Sequence, residues 1–261
     1  MSLRDWMDLR APDFAGLDPM ATIAVLPLAA VEQHGPHLPV GTDSLIARGM
    51  LDTVAASCPA DLDLLVLPLQ AVGKSNEHLW AKGTLTLSAE AALAAWLDIG
   101  LSVARAGLRK IILVNSHGGN SDLMSIMARE LRVRAGMLAV RCSWSAMGGP
   151  EGMYSERERT FGIHGGDYET SVMLHFRPEL VDMAVAQDFR STAEGAAIAP
   201  TGAIGYGWIA SDLNPAGVVG DAHLATADKG RQTAAHQAAG FLRLAADVRA
   251  HPMTGFAPLS S

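Results

Sequence analysis

The sequence predicts a three-layer αβα fold built on a mostly parallel sheet. Three observations carry this expectation. Short apolar runs alternate with longer segments of helical pattern, as in consecutive βαβ units. The run Ala21 to Leu28 is apolar almost throughout and reads as a buried strand. Ala and Gly are abundant while aromatic residues make up only 5%, a composition suited to close packing of helices on a sheet.

In chain order, the strand candidates are Thr22 to Leu28, Leu64 to Leu69, Lys110 to Asn115 and Met137 to Cys142. The helix candidates are Ser44 to Ala55, Ala89 to Ala106, Ser121 to Arg134, Tyr168 to Phe176 and Ala222 to Arg249. Ser88 stands where its hydroxyl can cap the second helix. Right-handed crossovers bring the C-terminal strand ends to one edge of the sheet, the edge where ligands bind in open α/β folds. The chemistry-bearing residues fall there. Glu32 and His34 follow the first strand, the stretch AVGKSNEHLWAKGTLTL follows the second, and His117 follows the third. The loop-like segments Trp144 to Gly166 and Arg190 to Gly220 have the length of lids or oligomer contacts. GAIGYG at Gly202 to Gly207 lacks the preceding strand and the spacing of a dinucleotide fingerprint. With no internal repeat and no linker, residues 1–261 read as one domain.

Bulk properties narrow the function. The net charge of −7 disfavours nucleic acid and anionic membranes as partners, because no basic stripe is available to neutralise phosphates. The two cysteines, Cys58 and Cys142, are far apart and read as small buried hydrophobes rather than a disulfide framework. The N-terminal MSLRDWMDLRAPDF lacks the pattern of a signal peptide, and no apolar stretch is long enough to span a bilayer, so a soluble cytoplasmic protein is expected.

The segment PLAAVEQHGPHLPVGTD, from Pro27 to Asp43, gathers Glu32, His34, His37 and Asp43 in a Gly- and Pro-rich stretch. Carboxylates and imidazoles crowd together near a core at high cost unless a cation neutralises them. Each residue has a plainer reading. His34 suits a hydrogen-bonded loop, Glu32 a solvated carboxylate, Asp43 an N-cap, His117 a backbone contact, and Glu169 a favourable charge at a helix start. Together they offer three carboxylates (Glu32, Asp43, Glu169) and two imidazoles (His34, His117), a donor set that suits Zn²⁺ or Mn²⁺ and admits Fe²⁺. Two divalent cations against three carboxylates leave one positive charge for a hydroxide to balance, with Asp43 as the simplest bridge. Coordination lowers the pKa of water from 15.7 to about 7, giving a nucleophile at neutral pH. A serine nucleophile has no G-x-S-x-G elbow to sit on, and neither cysteine lies in a charged or Gly-rich loop.

At these residues the chain resembles the creatininase family of creatinine amidohydrolase-like metal hydrolases. The matching blocks are EQHGPHLPVGTD at 32–43, GKSNEH and KGTLTLS within 73–88, NSHGGN at 115–120, HGGDYETSVML at 164–174 and GVVGDAHLATADKG at 217–230. The resemblance implies a creatininase-like fold, two metals at the C-terminal edge of the sheet, and a homo-oligomer, commonly a hexamer. By matching position, Glu32, Asp43 and His117 would hold one metal, and His34, Asp43 and Glu169 the other. His164 matches the family's catalytic histidine. Members acting on creatinine carry Tyr-Glu where this chain has Gly118 and Gly119, and Trp where it has Thr160. The creatinine clamp is thus missing while the metal set is kept. Relatives with the Gly-Gly form cleave formamides, a C-terminal peptide bond or an oxidised inositol ring.

The expectation is a binuclear metal-dependent amidohydrolase cleaving a C–N bond of a small cyclic amide or formamide. Two alternatives stand beside it: a hydrolase of an oxidised inositol ring or a peptide C-terminus on the same scaffold, and a non-catalytic metal- or metabolite-binding subunit. His164 would shuttle a proton, with loop packing or a bond to a ligand residue as its plainer roles. Glu77, His78, Gly118, Gly119 and Trp208 are expected to line the substrate pocket. Glu77 and His78 suit a structural hydrogen bond equally well, and a Trp in a Gly-rich loop suits an interface. Trp144, Tyr154, Tyr206 and His223 are further pocket candidates, and Asn115 and Asn120 would position the His117 loop. His37 is expected to contact a ligand residue rather than to ligate.

Overall fold

A computed structural model describes residues 3–258. Five strands form one parallel sheet in the order β1-β3-β2-β4-β5: β1 (Leu3–Asp5), β2 (Ile23–Leu28), β3 (Leu64–Val66), β4 (Lys110–Asn115) and β5 (Leu138–Ser143). The centre is the β2–β4 pair, in register from Ile23–Lys110 to Leu28–Asn115. Every residue of β2 and β4 is buried, as helices on both faces require. Ile23, Val25, Ile112 and Val114 face one layer, made by α1 (Thr42–Ser57), the helix Asp167–Phe176 and the long helix Ala227–Ala250. Ala24, Leu26, Leu28, Ile111 and Leu113 face the other, made by α2 (Ala89–Arg105) and α3 (Ser121–Ala135). The expected three-layer fold is observed. Two short helices, α4 (Glu156–Phe161) and α6 (Ala210–Leu213), flank the helix Asp167–Phe176, which is α5, and Ala227–Ala250 is α7. The two-residue strands β6 (Asp188–Phe189) and β7 (Gly220–Asp221) pair antiparallel outside the main sheet.

Local chemistry explains the boundaries. β3 stops at Val66 rather than reaching Leu69, because its neighbour Pro27 has no N–H to continue the ladder beyond the Val25–Val66 pair. Ser88 caps α2 as expected, accepting the Ala91 N–H at 3.2 Å. Asp43 lies inside the first turn of α1 with Gly41 at the N-cap, so it is not a cap. The final helix starts at Ala227, after a short 3₁₀ turn at Ala222–Leu224, with Thr226 as its cap. β1, β6 and β7 have no counterpart among the sequence-derived strands. Cys58 and Cys142 are half-buried rather than fully buried. Among the described residues no helix is long and apolar enough to cross a membrane.

Candidate metal centre

All parallel strands end at one edge, and five of the expected residues meet there. Glu32 and His34 come from the loop after β2, and His117 from the turn after β4. Asp43 lies in the first turn of α1 and Glu169 in the first turn of α5, where helix dipoles favour negative charge. His34 Nε2 is 3.5 Å from Asp43 Oδ1 and 4.0 Å from Glu169 Oε2. His117 Nδ1 is 3.2 Å from Glu32 Oε1 and 3.5 Å from Asp43 Oδ2. The two oxygens of Asp43 therefore face different imidazoles.

Outer hydrogen bonds decide which imidazole nitrogen faces inward. In its neutral form His34 donates from Nδ1 to the Glu32 carbonyl at 3.0 Å, which leaves the Nε2 lone pair towards Asp43 and Glu169. His117 donates from Nε2 to the Lys74 carbonyl at 2.9 Å, which leaves Nδ1 towards Glu32 and Asp43. The His117 turn is held by Asn115, whose Oδ1 accepts the His117 N–H at 3.1 Å. Asn120 accepts the Lys74 N–H at 3.0 Å and donates to the Ala29 carbonyl at 3.1 Å. Both asparagines thus do the positioning expected of them.

Both carboxylate oxygens of Glu32, Asp43 Oδ2 and His34 Nε2 are buried without a hydrogen-bond partner. Unmet polar atoms at this depth are costly unless another group satisfies them. They belong to overlapping groups of ligand atoms lying within 4.8 Å of one another: Glu32–His34–His164, Glu32–Glu77–His117 and His34–Asp43–Glu169. Oxygen and imidazole donors in this number fit a divalent cation. The charges respond to the same crowding. Burial would raise the pKa of Glu32, but His117, His164 and His78 hold it far below the carboxylate range. Burial would lower that of His34, yet Asp43, Glu169 and Glu32 lift it to about 9. His117 is raised well above its ordinary value against its burial, by Glu32, Glu77 and Asp43. Glu169, mainly through burial and then the Asp43 and Glu32 charges, rises to about 7. His164 is pushed well below its ordinary value by burial and by His34.

His164 and His78 lie against this group. Glu32 Oε1 is 3.5 Å from His164 Nδ1 and 3.3 Å from His78 Nε2. The His164 ring stands 4.2 Å from that of His34 and 4.3 Å from that of His78, centroid to centroid. Glu77 Oε1 is 3.5 Å from His117 Nε2, on the outer side of that ring. A Cβ at Gly119 would stand 2.2 Å from Glu77 Oε1 and 2.5 Å from His117 Nε2, so a side chain there is excluded. A Cβ at Gly118 would meet open space.

Other expected residues lie elsewhere. Trp208 packs in a small cluster with Ile163, Leu213 and Val219 and donates to the Pro200 carbonyl at 3.0 Å. Trp144 is a core residue against Phe241, and Tyr154 bonds Thr233. Tyr206 is exposed and His223 pairs with Asp221. His37 reaches no ligand atom. Its Nε2 faces the Gly165 carbonyl at 3.1 Å and Thr170 Oγ1 at 2.9 Å, which braces the loop between His164 and Glu169. Gln33 and Glu158 are among the buried polar residues that the sequence alone does not single out. Gln33 carries a usable signal, since it separates Glu32 from His34 in the motif.

Fold and residue set define a three-layer αβα protein with candidate metal ligands at the strand ends. The model of the creatininase family, described as creatinine amidohydrolase, matches residues 7–245, and the chain belongs to that family. The mycofactocin precursor peptide peptidase of Mycobacterium ulcerans (strain Agy99) is 35% identical over 215 residues, covering 80% of this chain and 78% of that one. The creatinine amidohydrolase of Pseudomonas putida is 32% identical over 177 residues, covering 62% and 66%. A solved structure of a putative creatinine amidohydrolase from Bacteroides fragilis NCTC 9343 shares the fold, with a TM-score of 0.77 at 22% identity, covering 97% and 98%.

Proposed function

We propose that this chain is a binuclear metal-dependent amide hydrolase, in which Glu32, Asp43 and His117 hold one divalent ion and His34, Asp43 and Glu169 the other. The observation that carries this reading is the convergence of partnerless buried atoms on Glu32, His34 and Asp43. Two such ions, zinc or manganese, would supply carbonyl polarisation and a water of lowered pKa. Asp43 would belong to both ligand sets, since its two oxygens face His34 and His117. Glu169, held by the Gly165 N–H at 2.5 Å, keeps its carboxylate on His34. His164 carries the proton from the attacking water to the leaving nitrogen, since its Nδ1 opens on the same Glu32 oxygen as the ligand triad.

For the substrate, the broad likeness to a peptide peptidase favours an amide bond near the end of a peptide over the small cyclic amide or formamide that the motifs alone suggest. Creatinine is disfavoured. Gly118 leaves open space, and Thr160 is exposed on α4 with its hydroxyl bonded to the Glu156 carbonyl. The test joins elemental analysis to a hydrolysis screen over short peptides, cyclic ureides and formamides. Two ions per chain are expected, one in Glu169→Gln, and chelation should abolish turnover that zinc or manganese restores. Turnover by fully demetallated protein would end the proposal.

A further inference from the structure

Gln33 stands between two proposed ligands in sequence and is buried. Its Oε1 accepts the Gly35 N–H at 2.9 Å, and its Nε2 donates to the Gly217 carbonyl at 2.8 Å. Neither bond survives an exchange of oxygen and nitrogen, so two backbone partners fix the orientation of the amide. A Cβ at Gly217 would stand 2.6 Å from Gln33 Oε1, and only glycine lets this clamp seat. The second hydrogen on Gln33 Nε2 meets His78 Nδ1 at 2.8 Å, and that nitrogen must accept. The His78 proton then sits on Nε2, the atom 3.3 Å from Glu32 Oε1.

The backbone of the same residue governs the second imidazole. The Gln33 carbonyl lies 2.7 Å from His164 Nε2, so this nitrogen donates and His164 Nδ1 keeps its lone pair. The 3.3 Å approach of Gln33 Nε2 to His164 Nε2 joins two donors and is not a bond, because both amide hydrogens are already committed.

We propose that Gln33 is a positioning residue that sets the tautomers of two of the imidazoles around Glu32, so that His78 turns its Nε2–H edge and His164 its Nδ1 lone pair toward the carboxylate. One residue thereby orients His78 from its side chain and the proton carrier from its backbone. The catalytic consequence rests on the hydrolase reading above, whereas the protonation pattern does not.

The test is long-range ¹H–¹⁵N correlation of the zinc-loaded protein labelled at histidine, which reports which ring nitrogen carries the proton. Wild type should show His78 and His164 both protonated on Nε2. Gln33→Leu should release the His78 proton to Nδ1 and leave His164 as it was. With the best amide from the screen, kcat should fall roughly 10–100-fold while KM and zinc content hold. Should the leucine variant fail to fold, Gln33→Met removes the same donor with closer length. His78 protonated on Nδ1 in wild type overturns the proposal. So does a variant whose His78 signal is unchanged, whatever its rate. If no amide is turned over, the hydrolase reading fails while the spectra still decide this one.

Discussion

Glu32 and Glu158 are both buried carboxylates, and they meet burial in different ways. Glu158, on α4, accepts the Tyr168 N–H at 3.3 Å and the Asp221 N–H at 2.9 Å. Burial raises its pKa and these backbone donors pull it back. It ties the start of α5 to β7 and is complete as it stands. Glu32 has no hydrogen bond on either oxygen and is ringed by the imidazoles of His117, His78 and His164 at 3.2, 3.3 and 3.5 Å. Depth alone does not distinguish a working carboxylate from a structural one. What distinguishes them is whether the protein's own donors finish the group.

The largest effect expected from this contrast is at Glu32. Glu32→Gln should cut turnover by more than the roughly 100-fold typical of residues that merely support a ligand, and bound metal should drop with it. Full metal content in that variant, by elemental analysis, would erase the distinction. Next comes pH. His34 in the metal-free protein holds its proton up to about pH 9, so a cation must displace it. Manganese affinity should therefore rise at least about tenfold per pH unit between roughly pH 6 and 8. The rise should steepen below about 7, where Glu169 also takes up a proton. A chelator-competition titration that is flat across that range would contradict the ligand role of His34.

Glu158→Ala should lower stability by about 1–3 kcal/mol, because it strands the buried Asp221 N–H and the half-buried Tyr168 N–H, while leaving metal content intact. Thermal melts with elemental analysis read both quantities. The smallest effect sets the scale. Asp61 forms an ion pair with Arg249 at 3.0 Å, with both side chains largely in water. Asp61→Asn should change stability by less than about 1 kcal/mol and metal content not at all.

Much of this was legible in the sequence. β4 matches its expected span, and α2, α3 and α5 lie within a residue of theirs, because long apolar periodicity and an N-cap serine are local signals. The meeting of Glu32, His34, Asp43, His117 and Glu169 was legible because each follows a strand or opens a helix at the edge where parallel strands end. Short elements were not. β1 is the three-residue run Leu-Arg-Asp, held by pairing with β3 rather than by any pattern of its own. α4 begins at a good cap, Ser155, but is only six residues long and lies in a Gly-rich stretch. For Trp208 the sequence signals burial without saying against what, and the structure supplies Leu213 and Val219 as its neighbours. For Glu77 and His78 the sequence leaves pocket lining and a structural hydrogen bond equally open, because His117 and Glu32, which they face, lie about 40 residues away and nothing local reveals them.

The tight fit at Gly119 constrains redesign. Glu77 and the Lys74 carbonyl stand where a side chain at position 119 would go, each within 2.5 Å of its first carbon. The Gly-Gly pair and the Lys74–Glu77 turn are therefore mutually exclusive with the bulkier pair of the creatinine-acting members. Grafting Tyr-Glu onto this scaffold should be tolerated at position 118, where space is open, and clash at position 119. A successful conversion therefore needs the Lys74–Glu77 turn to be rebuilt together with residue 119.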